Sequence, residues 1–137
     1  MHRIILFVLL FLSAASGQTG ETGEVSLYFI SPVDGETVSG PFTVRFGLRG
    51  MGVTPAGSDI PKTGHHHLLI DLESLPPLDQ PLPKTDHVRH FGGGQTETEL
   101  SLSPGEHHLQ LLLGNATHTP HDPPVMSARI RVNVSED

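Results

Sequence analysis

Ten histidines stand in a chain of 137 residues, and all but His2 fall between His65 and His121. They come as His65-His66-His67, His87 with His90, His107-His108, and His118 with His121. Imidazole is the commonest side-chain ligand for transition metals, and it titrates near neutral pH. Such crowding points to one of two chemistries, coordination of a metal ion or sensing of protons. The chain has no cysteine, so thiolate ligation and disulfides are ruled out. His65 and His67 are two residues apart. On a β-strand that spacing puts both rings on one face, about 6.5–7 Å apart at Cα, close enough to chelate one ion. His66 then shares the other face with Leu68, Ile70 and Leu72, which must be core, and is expected to be structural.

The elements that would position these rings are short β-type runs separated by Gly/Pro-rich breaks. They are 25–30, 36–39, 42–48, 65–72, 96–102, 106–113 and 126–134. Phe42, Val44, Phe46 and Leu48 alternate with Thr43, Arg45 and Gly47, and Ile130, Val132 and Val134 alternate with Arg129, Arg131 and Asn133. No segment has a helical period, and twelve prolines would interrupt most helices. About seven short strands with turn signals between them predict an all-β, immunoglobulin-like antiparallel β-sandwich. Three connections are long, 49–64, 73–95 and 114–125, and loops of that length in a compact domain are usually functional or disordered.

Topology then sorts the histidines. In such a sandwich, strands 65–72 and 106–113 are antiparallel neighbours, so the start of the first lies beside the end of the second. That end feeds the loop carrying His118 and His121. The tight Ser103-Pro104-Gly105 turn sends the segment before strand 96–102, with His87 and His90, to the same end. His65, His67, His87, His90, His118 and His121 are therefore expected to converge on one rim, with His107 and His108 at the opposite end. Three or four imidazoles suit copper or zinc. Asp71, Asp86 and Asp122 are candidate carboxylates for orienting a ligating ring, and Met51 and Met126 could add a soft ligand for copper. The competing use is structural, with rings bonded to backbone carbonyls tying long loops to the sandwich. Gly92-Gly93-Gly94 without a G-x-S-x-G elbow does not make an esterase, and no acid/base carboxylate pair stands out.

Residues 1–17 read as a secretory signal peptide. Arg3 supplies the positive charge, Ile4 to Leu12 an apolar run far too short to span a bilayer, and Ala15-Ser16-Gly17 the small residues of a cleavage site. Residues 18–24 read as a flexible lead, and 25–134 as a single domain. Loss of Arg3 with the signal takes the formal net charge from −7 to −8. An acidic chain without a basic patch is not expected to bind nucleic acid or an anionic membrane surface. The expected location is periplasmic or secreted, without membrane attachment after cleavage.

Three blocks taken together resemble a known family. They are Gly64-His-His-His-Leu-Leu-Ile-Asp71, His90-Phe-Gly-Gly-Gly-Gln-Thr-Glu97, and the run from Pro104 to Gly114 that continues into His118-Thr-Pro-His-Asp-Pro-Pro-Val-Met-Ser127. The chain is similar, over roughly 25–134, to small secreted bacterial proteins and domains of unknown function that carry the same histidine-rich blocks. The resemblance implies a single exported domain and brings no established reaction or ligand.

The sequence thus leads to an exported metal-binding protein for copper or zinc, acting as a carrier, buffer or accessory, and nothing in it demands catalysis. The alternative is a non-catalytic cell-envelope module, with an exported protein or glycan as partner, whose histidines order loops or respond to pH. Metal binding through ordinary imidazoles predicts loss of affinity below about pH 6, where rings near pKa 6.5 protonate.

Overall fold

The structure is a computed structural model that describes residues 23–136. The signal peptide at 1–17 and most of the lead at 18–24 lie outside the described residues. There are nine strands and no helix among the described residues. They are β1 (Ser26–Ser31), β2 (Thr37–Val38), β3 (Phe42–Arg49), β4 (Gly52–Val53), β5 (Thr63–Ile70), β6 (Val88–His90), β7 (Glu97–Leu100), β8 (Gly105–Gly114) and β9 (Ile130–Val134). Seven match the runs read from the sequence. The two extra strands, β4 and β6, are short and lie inside the long connections, where hydrophobic alternation is too brief to show.

The strands form a sandwich of two sheets, one ordered β1-β3-β7 and the other β2-β9-β8-β5-β4, with β6 also pairing β5. Pairing is antiparallel except for the two-residue contacts β2–β9 and β4–β5. Alternation supplies the core. Leu27, Phe42, Val44, Phe46 and Leu100 from the smaller sheet pack against Leu68, Ile70, Leu109, Leu111, Leu113, Ile130, Val132 and Val134 from the larger.

The larger sheet is also covered on its outer face. Leu69 of β5 and Leu112 of β8 pack there with Leu82 and Val88, and Leu72, Leu78 and Met126 close around them. The proline-rich segment after β5 is therefore a strap across the sheet rather than a loose loop. This explains why His65 to Ile70 is buried on both faces. Leu72, expected on the inner face by strict alternation, lies instead under the strap, because β5 ends at Ile70 and Asp71 turns the chain at a φ of 54°.

Strands β5 and β8 run antiparallel in the register His65↔Gly114, His66↔Leu113 and His67↔Leu112, through to Ile70↔Leu109. The start of β5 thus meets the end of β8, as the sequence argument required.

Candidate metal centre

Three histidines, His65, His67 and His118, bring ring nitrogens within 4.8 Å of one another, and His90 meets His118 beside them. His65 and His67 project from the outer face of β5, both fully buried. His90 on β6 is the direct cross-strand partner of His67. His118 comes from the turn just beyond β8, where its backbone takes a φ of 62°, a left-handed conformation uncommon for a residue with a Cβ. The turn is held from within. His118 N–H donates to the Asn115 carbonyl at 3.0 Å, and the Asn115 N–H to the Thr119 carbonyl at 2.8 Å. Asn115 Oδ1 also accepts from the N–H groups of Thr117 and Thr119. The strap fastens the turn from outside, Leu82 N–H donating to the His118 carbonyl at 2.9 Å.

The ring nitrogens crowd together. His118 Nδ1 lies 2.8 Å from His65 Nε2, 3.2 Å from His67 Nε2 and 3.0 Å from His90 Nδ1. The reactive nitrogens of His65, His67 and His118 all fall within 4.8 Å of one another. The rings meet edge-on or tilted, with centroids 4.5–4.7 Å apart for His65–His118, His67–His90 and His90–His118. A neutral imidazole nitrogen carries one proton or one lone pair, so His118 Nδ1 can complete one linear hydrogen bond, not three. His90 sharpens the point. Its Nε2 donates to the Pro83 carbonyl at 2.8 Å, so in the neutral ring its Nδ1 turns a lone pair toward His118. Nitrogens bound tetrahedrally at 2.0–2.1 Å to one ion would sit about 3.3–3.4 Å apart. The three distances to His118 Nδ1 approach that spacing, and the nitrogens of His65, His67 and His118 together could hold an ion.

Burial and neighbouring imidazoles favour the neutral form of His65, His67 and His118. The His65 pKa is pushed down to about 4 and that of His67 to about 3, first by burial and then by the neighbouring histidines. His118 is lowered too, by burial, then by His90 and Lys84. Lone pairs are therefore available well below the ordinary imidazole pKa of 6.5. The acid limit expected from unperturbed rings shifts downward accordingly. Among the described residues no carboxylate joins the cluster. Asp86 and Asp122 are exposed, and Asp71 is bound at the other end of β5 by His107 and His108.

Two of the six residues singled out in the sequence stand apart from the four rings. His87 is exposed and donates through Nδ1 to the Ile70 carbonyl at 2.8 Å. The β6 alternation that turns His90 inward carries its neighbours elsewhere. His121 is half-buried beside the cluster and is held by the Thr63 carbonyl, 3.2 Å from its Nε2. The centre also lies on the outer face of the sheet, under the strap, rather than on an open rim. His66 faces the core against Phe46, with neither ring nitrogen partnered.

Sequence reasoning missed the residues that make room. Gly114 sits opposite His65, and a Cβ there would overlap His67 Cε1 and lie 3.0 Å from its Nδ1. A Cβ on Gly64 would lie 2.7 Å from the Gly114 carbonyl oxygen and 2.9 Å from His121 Cε1. The signal was a glycine closing the apolar run Leu111-Leu112-Leu113, where a strand core would otherwise carry a side chain. The carbonyl of Pro83, which fixes the His90 tautomer, left no sequence signal at all.

A family model described as "Domain of unknown function (DUF4399)" matches residues 44–135, from within β3 to just beyond β9. No curated protein and no solved structure matches the chain.

Proposed function

This chain belongs to the DUF4399 family of domains of unknown function, and we propose that it binds one transition-metal ion, copper or zinc, through His65, His67, His90 and His118. The observation that carries the reading is the meeting of three ring nitrogens within 2.8–3.2 Å of His118 Nδ1, an arrangement that hydrogen bonds cannot satisfy and a cation would. The Pro83 carbonyl on His90 supports it, since ligating imidazoles characteristically donate their other N–H to such an acceptor. His87 and His121 are not among the ligands proposed.

Four imidazoles fill a tetrahedral ion, whereas catalytic zinc keeps a position open for water or substrate. The site therefore suits a carrier, buffer or accessory better than an enzyme. Export to the periplasm or beyond, proposed from the leader sequence, would place it where metal ions are traded. The interaction-module reading draws support from His87 and His107, which are engaged in tying loops to the sheet.

The test is elemental analysis of protein purified without a metal column, followed by titration with Cu²⁺ and Zn²⁺. One ion per chain is expected, with His65→Ala/His67→Ala reducing affinity by about 100-fold or more, since two of four ligands are lost. A protein that takes up neither ion, or a double variant that binds as tightly as the parent, would refute the proposal.

A further inference from the structure

His65, His67 and His90 are set in place by strand pairing, but His118 stands in a turn outside the strands, between Gly114 at the end of β8 and Pro120, which bridges back to it. A strand residue inherits its direction from the ladder; a turn residue needs another device. Here the device is one side chain. Asn115 Oδ1 accepts from the Thr117 N–H at 2.9 Å, from the Thr117 hydroxyl at 3.0 Å and from the Thr119 N–H at 3.1 Å. Thr117 and Thr119 are the two neighbours of His118, so a single oxygen grips the chain on both sides of the ligand. Asparagine is the residue type whose side chain mimics a backbone turn in this way. Two further bonds, from Gly57 N–H to the Ala116 carbonyl and from Leu82 N–H to the His118 carbonyl, both at 2.9 Å, fasten the finished turn to neighbouring segments.

The conformation so held is a costly one. His118 has a φ of 62°, in the left-handed region that residues with a Cβ disfavour, and such a residue persists only where its surroundings over-determine it. Release into the ordinary region would re-aim its Cα–Cβ bond and carry Nδ1 away from the nitrogens that it now meets at 2.8, 3.0 and 3.2 Å. We infer that Asn115 is the positioning residue for His118: its carboxamide oxygen, acting through Thr117 and Thr119, holds the turn in the shape that aims Nδ1 into the cluster, and so decides whether His118 can serve as a ligand. The consequence for metal binding rests on the reading above; the aim of the ring does not. Because the other three rings are placed by strands, loss of the Asn115 side chain withdraws one ligand rather than dismantling the centre. Alanine lacks the acceptor, whereas aspartate keeps an oxygen in the same place, so the two substitutions separate the bonds to Thr117 and Thr119 from anything else the residue does.

The experiment compares the parent with Asn115→Ala, Asn115→Asp, His118→Ala and the Asn115→Ala/His118→Ala double variant, by Zn²⁺ titration and by NMR of the metal-free proteins. Asn115→Ala is expected to bind about 10–100-fold more weakly, the range for a group that orients a ligand, and Asn115→Asp to recover most of that loss. If Asn115 acts only through His118, the double variant should bind no more weakly than His118→Ala alone. In the metal-free Asn115→Ala protein, the NOE contacts of the His118 ring with the His65 and His90 rings should vanish while the amide signals of β5 and β8 stay in place, which also reports that the fold survives. Parent-like affinity in Asn115→Ala would overturn the inference, as would ring contacts that persist there, an Asn115→Asp variant as weak as Asn115→Ala, or an equal further loss when His118 is already absent. Failure of the four-histidine reading would show separately, as a parent that binds neither Zn²⁺ nor Cu²⁺ although its His118 contacts still depend on Asn115.

Discussion

The two ends of β5 use histidine in opposite ways. At its start, His65 and His67 are buried among other imidazoles with no carboxylate, and their pKa values are driven down to about 4 and 3. Just past its end, Asp71 accepts from His107 Nδ1 at 2.6 Å and from the His108 N–H at 2.7 Å. His107 Nε2 meets the Ser103 carbonyl at 2.7 Å. His107 Nδ1 faces the Asp71 carboxylate and its Nε2 the Ser103 carbonyl, which favours the imidazolium form. Burial works to lower its pKa, but the hydrogen bonds to Asp71 and Ser103 outweigh burial and raise it. The Ser103 hydroxyl, 3.5 Å from the same Nε2, faces a nitrogen whose proton is already committed to a carbonyl, so this Asp–His–Ser arrangement has no free base. One strand thus ends in a charged pin and begins in a set of neutral lone pairs. The difference is a single carboxylate: present, it fixes a proton on the ring; absent, it leaves the nitrogen for a metal.

The largest test of this contrast is steric. Gly114→Ala would push a methyl into the His67 ring and is expected to lower metal affinity by about 10–100-fold, with about 1–3 kcal/mol lost from folding stability through overpacking. Metal titration and urea unfolding would measure the two. Parent-like affinity would mean that His67 can move aside without cost and that the cluster is not preorganised.

Next, Asp71→Asn removes the charge that holds the pin. The expected loss is about 1–2 kcal/mol, the lower part of the range for hydrogen bonds to charged groups because the pair is partly solvated, with metal affinity unchanged. The pH dependence follows from the signs of the shifts. His107 is raised, so its contribution is complete below pH 6.5 and fades as pH rises through its folded value. The Asp71 carboxyl is lowered: burial acts to raise it, and the bonds from His107 and His108 more than offset that. Its contribution is present above pH 3.8 and fades as pH falls through its folded value. Stability of the parent should therefore decline above pH 6.5 in a way that Asp71→Asn does not. A parallel decline in both proteins would place the titrating group elsewhere.

A third test uses acid on the other end. Because the His65 and His67 rings resist protonation down to about 4 and 3, bound metal should survive dialysis at pH 5 and leave near pH 4. Release at pH 6 would show that these rings titrate as ordinary imidazoles. The smallest effect is expected at His87. His87→Ala removes one part-buried bond to the Ile70 carbonyl and should cost about 1 kcal/mol, with metal stoichiometry intact. A loss of metal there would extend the centre beyond the four rings.

Much of this was legible in the chain. Alternation along Phe42–Leu48 and Ile130–Val134 gave strands, because a two-residue period follows directly from the pleat. Antiparallel pairing of β5 with β8 followed from the order of strands and turns, and it sent His65, His67, His87, His90, His118 and His121 toward one end. The strap was not legible as a second layer, since Leu78 and Leu82 among prolines have no periodicity from which to infer burial. Nor was the separation of His87 from His90, which hangs on a three-residue strand too short to read.

The residue types and their spacing determined a β-sandwich with two imidazoles on one face of one strand, because side-chain parity is a local property of the backbone. Only the tertiary structure decided which rings meet, which are neutral and which is charged. Those outcomes depend on non-local facts: the missing Cβ of Gly114 beneath His67, the Pro83 carbonyl that sets the tautomer of His90, and the placement of Asp71 at His107 rather than among the ligands. Proton affinity is set by burial and neighbouring charge across the fold, and no stretch of sequence carries that information by itself.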